Sequence, residues 1–497
     1  MVLRSMKFTI VLALVCSAIL FAIGVKSDLS LGDETFHYRM AREIYLSDNR
    51  PTHDPLFGSY KNVRLPYVNA PLWHYGLAYF WKATGGPSVV TAQLYQVTFY
   101  FFLILVTYMI ALELYGDREA LYSSLIMASL PMATSLSIIL HIDIPVALFT
   151  ALCFLFLTKK RFFWAGVALG AMLLTKRNAY FLVLPYMLMA LYLPEGSKAK
   201  KAKSLALFMV PALAINIPDV IFRLQTFSLK YFYKFPEIHV SPRYAAKDIA
   251  LFFYDESNIL MQPLNIVKYL GIVLVFSAIV YFVRKRYSKK DFPLILICAA
   301  YLLFFAFIFR NHLNIRYISP IVPLMAVIAS IGLCSFSIRW LRYAILAILI
   351  LQFTGSTYYV YVSRSIPQGT KEGYNYIRQS TLGEAHILSV NNSLSYYTDS
   401  HAMWKSYMSV MEMPYLFWKA DEDEAIDILN KYEIDYIFVE KERVYDDSGR
   451  KHLGGYPESF IGKMDFFPRF KLIFENQSVG IWRIIENLDG GIQQNAR

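Results

Sequence analysis

The chain has 497 residues, of which 56% are hydrophobic, 16% aromatic and only 17% charged. No single soluble domain of that length needs so much apolar sequence, so the composition describes a polytopic membrane protein. The formal charge of +12 is not a nucleic-acid signature, because the basic residues cluster in short loops between apolar runs and not in a stripe on a soluble face.

Crossing the hydrocarbon core takes roughly 20 apolar residues. Taken in order, candidate spans run over Phe8–Val25, Ser88–Leu114, Ala120–Ile138, Ile144–Thr158, Phe162–Thr175, Ala179–Leu193 and Leu205–Ile221. Leu264–Val283, Phe292–Phe309, Tyr317–Phe336 and Leu341–Val362 follow, about eleven in all. The first run is long and lacks a clear small-residue cleavage site, so it reads as an uncleaved anchor and not as a signal peptide.

Just past that first span stands the pair Asp33-Glu34, opening the segment Gly32 to Ile44. Phe36, Met40 and Ile44 recur every four residues, which predicts a helix with one apolar stripe laid on lipid or protein. Asp33 and Glu34 then occupy its first turn, where the helix dipole favours carboxylates. An acidic helix start exposed to water is the plainer alternative. The loop from Lys26 to about Pro87 also carries the aromatic stretch Ala70 to Trp81, suited to the headgroup level of a membrane. A second long loop, Phe222 to Gln262, mixes aromatic residues with Lys and Arg. It could grip a lipid phosphate or simply anchor itself to anionic headgroups.

Placing the amino terminus inside puts Arg4 and Lys7, Lys159-Lys160-Arg161, the lysines 198, 200, 201 and 203, Arg284-Lys285-Arg286, Lys289-Lys290, Arg339 and Arg342 on the cytoplasmic side. The same assignment places Asp33-Glu34, His141 to Asp143, Lys176-Arg177, Arg310 to Arg316 and the carboxy-terminal tail outside. All four cysteines, Cys16, Cys153, Cys298 and Cys334, lie in candidate spans, which excludes a disulfide framework for the tail. No closely spaced Cys/His metal cluster occurs.

After Val362 the composition changes, and Ser363 to Arg497 reads as a small exported domain. Glu372–Gln379 and Asp421–Tyr432 are predicted helices, Ala385–Val390 and Ile434–Val439 predicted strands. Phe470–Phe474 and Gly480–Ile485 flank Asn476-Gln477-Ser478 and predict a hairpin. The mixture implies a compact α/β or α+β module whose expected role is packing or substrate gating.

The order of these pieces resembles the polyprenyl-phosphate-sugar-dependent glycosyltransferases of the C-type membrane fold (GT-C), among them the protein O-mannosyltransferases and the lipid A aminoarabinose transferase. Those enzymes carry an Asp-Glu opening a juxtamembrane helix after the first span, matched by Asp33-Glu34. Their next motif resembles Tyr67-Val68-Asn69-Ala70-Pro71-Leu72, although Asn69-Ala70-Pro71 stands where relatives often have Lys-Pro-Pro. Asp143 in His141-Ile142-Asp143-Ile144-Pro145 is similar to a second exported acid. The stretch Gly166 to Lys176 resembles a Gly-rich span ending in a basic residue, and Arg316-Tyr317-Ile318-Ser319-Pro320 to Pro323 resembles an Arg-Tyr followed by spaced prolines. The resemblance implies a transmembrane domain over residues 1–362, with juxtamembrane helices in its first exported loop, and an exported α/β domain over residues 363–497.

The chemistry implied is attack of an acceptor hydroxyl or amine on an anomeric carbon while a lipid phosphate leaves, which calls for a base and an anion clamp. Asp33 is the expected base. Glu34, about 100° around the helix, shapes the surroundings, and Asp143 would hold the acceptor or a metal. Arg316 is the first choice for the clamp, because a guanidinium fork matches phosphate oxygens. Arg310, His312, Lys176 and Arg177 are secondary candidates, and each is also an ordinary span-end cation that snorkels to headgroups. Tyr67, Asn69 and Tyr317 are expected to touch substrate. His37, His74 and His141 read as interfacial hydrogen-bonding residues. Two or three neighbouring carboxylates would bind a divalent ion, and the sequence leaves metal use open. The acceptor is a protein, lipid or glycan. The rival classes are a transporter or lipid flippase and a scaffold, but intramembrane charges and paired halves, the marks of a transporter, are not evident. Deleting Ser363 to Arg497 is expected to leave some transfer.

Overall fold

The computed structural model describes residues 2–29, 32–52, 70–226, 268, 270–283, 288–308, 315–336, 339–381, 385–389, 393–398, 401–404, 420–431, 433–445 and 456–485. The chain divides into two compact units, residues 1–27 with 68–363, and residues 28–67 with 364–497.

The first unit is helical. Its elements are α1 (Val2–Lys26), then, beyond α2 (Gly32–Ser47) of the other unit, α3 (Leu72–Thr84), α4 (Val89–Leu114), α5 (Asp117–Ser129), α6 (Pro131–Ile138), α7 (Asp143–Thr158), α8 (Phe162–Leu173), α9 (Val183–Tyr192) and α10 (Lys198–Thr226). Further helices cover Ile272–Val283, Phe292–Ile308, Val322–Cys334 and Arg339–Ser363, and 3-10 turns cover Arg177–Leu182 and Ile315–Ile321. Each of the eleven apolar runs read from the sequence carries helix. Among the described residues five helices are long and apolar enough to cross a membrane, or up to six if the pair α5 and α6, bent by 53°, counts as one span. That bend falls where Pro131, lacking an N–H, starts a new helix at its first position. Asp143–Thr158, Phe162–Leu173, Ile272–Val283 and Phe292–Leu303 are shorter apolar helices.

Local sequence explains several boundaries. Ser88 caps α4, its hydroxyl accepting from the Thr91 amide at 3.1 Å. Lys160, with φ 55°, turns the chain between α7 and α8, so the two pack as an antiparallel hairpin. A Cβ on Gly166 would collide with the Phe208 carbonyl, and one on Gly170 would lie 3.2 Å from Ala212 Cα. The absent side chains therefore allow the close contact of α8 with α10. Gly332 plays the same part against the Ser277 carbonyl.

The second unit holds a five-stranded sheet in the order β2-β1-β3-β7-β6, with β1 (His386–Ser389), β2 (His401–Trp404), β3 (Tyr436–Glu440), β6 (Phe470–Glu475) and β7 (Val479–Ile484). A two-stranded pair joins β4 (Val444–Tyr445) to β5 (Tyr456–Pro457). The pairings of β1 with β2 and with β3 are parallel, whereas β7 runs antiparallel to β3 and β6. Both faces of the sheet are covered: Ile437, Val439 and Trp482 belong to one apolar cluster, Ile387, Phe438 and Ile481 to another. The β6–β7 turn is fixed by Asn476, whose Oδ1 accepts from the amides of Ser478 at 2.8 Å and Val479 at 2.9 Å. The helix α2 belongs to this unit and packs on the short helix Ser393–Thr398.

Candidate functional site

In the first unit, four of the residues singled out from the sequence come together. Asp143 is the first residue of α7 and is fully buried, and Lys176 follows α8. Because α7 and α8 form a hairpin, the start of one and the end of the other lie at the same level. Lys176 Nζ contacts Asp143 Oδ1 directly. The 3-10 turn Ile315–Ile321 packs on α7, and its threefold repeat places residues three apart on one side. Arg316 and Ser319 share that side. The Ser319 hydroxyl donates to Asp143 Oδ1 at 3.0 Å, and Arg316 Nη1 lies 3.4 Å from His141 Nε2.

His141 stands between Arg316 and Asp143. A guanidinium only donates, so the contact with Arg316 is a hydrogen bond where Nε2 of His141 accepts. On the other side of the ring, Nδ1 lies 2.5 Å from Asp143 Oδ2 and 3.3 Å from the Asp143 amide nitrogen. The chain Arg316–His141–Asp143–Lys176 is therefore continuous. Two cations, Lys176 and Arg316, accompany the one carboxylate of Asp143, a net charge of +1 from these three side chains.

Aromatic and amide groups hold the cluster in place. The ring of Tyr317 lies 4.8 Å from Lys176 Nζ and 5.6 Å from Arg316 Cζ, within cation–π range. Tyr301 fixes the turn by donating its hydroxyl to the Tyr317 carbonyl at 2.7 Å. Gln96, fully buried on α4, donates to the carbonyls of His141 at 2.8 Å and Leu136 at 3.0 Å. Its own oxygen accepts from Trp73 Nε1 at 3.1 Å.

The other carboxylates lie in the second unit. On α2, Asp33 is exposed and Glu34 is completely buried. Glu34 Oε1 accepts from Arg364 Nη2 at 2.7 Å, and Arg364 is 1% exposed. Met40 and Ile44 of the expected apolar stripe are buried and Phe36 is half-buried.

Arg177 is half-buried at the start of the turn Arg177–Leu182. His37 and His74 are buried, each set edge-on against its neighbouring ring, Phe36 and Trp73. Tyr67, Asn69, Arg310 and His312 lie outside the described residues. Among the described residues, no three His, Cys, Asp or Glu side chains come together in a way that could hold a metal ion. Reading the sequence assigned no part to Ser319 and Arg364, and took His141 for an interfacial hydrogen-bonding residue, without the contacts it makes to Arg316 and Asp143. The i, i+3 spacing of Arg316 and Ser319 was the available signal for the first. Arg364 carries none beyond its place after the last span.

Residues 68–222 match the family model described as dolichyl-phosphate-mannose-protein mannosyltransferase. ArnT from Cupriavidus metallidurans, solved with undecaprenyl phosphate, superposes with a TM-score of 0.61 at 13% identity, over 97% of this chain and 99% of that one. The Archaeoglobus fulgidus oligosaccharyltransferase tethered to an acceptor peptide gives a TM-score of 0.59 at 12% identity, over 87% of this chain and 69% of that one. The archaeal oligosaccharyltransferase AglB from Archaeoglobus fulgidus in complex with an inhibitory peptide and a dolichol-phosphate gives 0.59 at 12% identity, over 96% of this chain and 74% of that one. No curated protein matches by sequence. The fold is the GT-C fold. At these identities the likeness is one of architecture, and the expected class, a polytopic helical protein with a small α/β module, is the one found.

Proposed function

We propose that this GT-C chain moves a sugar from a polyprenyl-phosphate-linked donor to a protein, lipid or glycan acceptor on the extracytoplasmic membrane face, with its amino terminus in the cytoplasm. The observation that carries the reading is the Arg316–His141–Asp143–Lys176 chain, two half-buried cations gathered around a buried carboxylate and imidazole, a preorganised site of net positive charge in a membrane protein of this fold. Structures of the same fold hold undecaprenyl phosphate and dolichol-phosphate, which supports a lipid phosphate as the anion.

Arg316 and Lys176 bind the donor phosphate, with Arg177 and, beyond the described residues, Arg310 and His312 as further cations. Asp143 has its oxygens engaged by Lys176, Ser319 and His141, so its role is to orient the cations as much as to meet the acceptor. Tyr317 lines the clamp, and Tyr67 and Asn69 contact substrate. In the reaction the acceptor oxygen or nitrogen forms a bond to the anomeric carbon as the bond from that carbon to the phosphate oxygen breaks. The bonding pair leaves on the phosphate, where fixed positive charge stabilises it. The acceptor proton passes to the Asp33 carboxylate. A single displacement of this kind inverts the anomeric configuration.

The test is incubation of the purified protein with a panel of polyprenyl-phosphate sugars and scoring of free polyprenyl phosphate. Release that depends on an acceptor supports the transferase. A protein that moved every lipid across vesicles and released no polyprenyl phosphate would be a transporter or flippase.

A further inference from the structure

We propose that Arg364 is a positioning residue for Asp33, acting through Glu34, so that the carboxy-terminal module is part of the catalytic machinery. This rests on the reading of Asp33 as the base. Glu34 and Arg364 are 0% and 1% exposed and meet at 2.7 Å, so Glu34 is unavailable to an acceptor and serves as an anchor. Successive residues of a helix point about 100° apart. Fixing Glu34 against Arg364 therefore fixes the rotation of α2 and with it the outward direction of Asp33, which is exposed.

The chain entering α2 is held by the same module. Asp28 Oδ2 accepts from the Ile366 amide at 2.9 Å and from Lys371 Nζ at 2.9 Å. The Leu29 amide donates to the Tyr397 hydroxyl at 2.9 Å. Past Glu34, the ring of Tyr38 packs edge-on against Tyr396 at 5.1 Å. Ile366, Lys371, Tyr396 and Tyr397 thus grip the segment on both sides of Asp33, and the buried ion pair lies between those grips. The expectation that transfer survives loss of residues 363–497 changes accordingly, since that deletion removes the partner of Glu34.

The experiment measures kcat and donor KM for Arg364→Gln, Arg364→Lys and Glu34→Gln/Arg364→Gln, and for Arg364→Gln combined with Asp33→Asn. Arg364→Gln should lower kcat on the order of 10-fold or more with donor KM unchanged, since a misplacement near 1 Å is enough for such a loss. Arg364→Lys, which keeps the charge, should recover most of it. The double neutral variant should lose less than Arg364→Gln alone, and it carries the test if the single variant does not fold. In the Asp33→Asn background Arg364→Gln should cost nothing further. Equal losses with and without Asp33, a raised donor KM or an unchanged kcat would overturn the positioning role. A parental rate in Asp33→Asn alone would instead remove the base reading on which it rests.

Discussion

Asp143 and Lys176 should be destabilising to lose singly and much less so together. Asp143 is wholly buried and Lys176 is 11% exposed in its side chain. Removing one partner of such a pair leaves an uncompensated charge, which costs about 3–5 kcal/mol when burial is complete. Asp143→Asn keeps an oxygen for Ser319 and for Lys176, and Lys176 retains some access to water, so the low end, about 3 kcal/mol, applies. For a large helical unit that corresponds to a midpoint lower by roughly 5–10 °C. Asp143→Asn/Lys176→Met removes both charges, leaves His141 facing a neutral amide, and should recover about 1–3 kcal/mol of the summed single losses. The assay is thermal unfolding of the four proteins in one detergent, read as a double-mutant cycle. Strictly additive losses would show that the two side chains do not act as a pair, and the positively charged clamp would lose its organising carboxylate.

The remaining outcomes concern the reaction and its sidedness. On the proposed reading Asp33→Asn removes the charge that accepts a proton and should lower transfer on the order of 100-fold or more while donor binding survives, measured as release of polyprenyl phosphate against donor affinity; Glu34→Gln is expected to be distinct, losing thermal stability because it takes away the carboxylate charge that faces the buried Arg364. Arg316→Lys keeps charge and loses the fork, so lipid-phosphate-dependent turnover should fall with insertion intact; unchanged turnover would move the clamp to Lys176, Arg177 or Arg310. Reporters fused after Lys203 and Arg286 should be cytoplasmic and one after Ser363 exported; an exported reporter at Arg286 would reverse the side assignment of every candidate residue.

What the sequence made legible is what depends on period and composition. Each apolar run could be read because lipid demands long apolar stretches whatever they pack on, and the tail's hairpin because Asn476 holds its turn through its own side chain. The bend between α5 and α6 was hidden inside one continuous apolar run, since hydropathy averages over the proline that makes it. Asp143, Lys176 and Arg316 could be nominated one by one as polar residues at span ends.

Their mutual contact could not, because it depends on two things that no local pattern encodes. One is the antiparallel pairing of α7 with α8, which brings residues 33 apart to a shared level. The other is the 3-10 phase of Ile315–Ile321, which turns Arg316 and Ser319 to one side; an α-helical phase would set them about 60° apart. The pairing of Glu34 with Arg364 spans 330 positions, and the sequence signal for Glu34 was its place beside Asp33. Two adjacent carboxylates at a helix start look alike as letters. Folding separates them: Glu34 turns inward to Arg364 and is completely buried, whereas Asp33 stays exposed, and it is on that exposure that the proposal of Asp33 as the base rests.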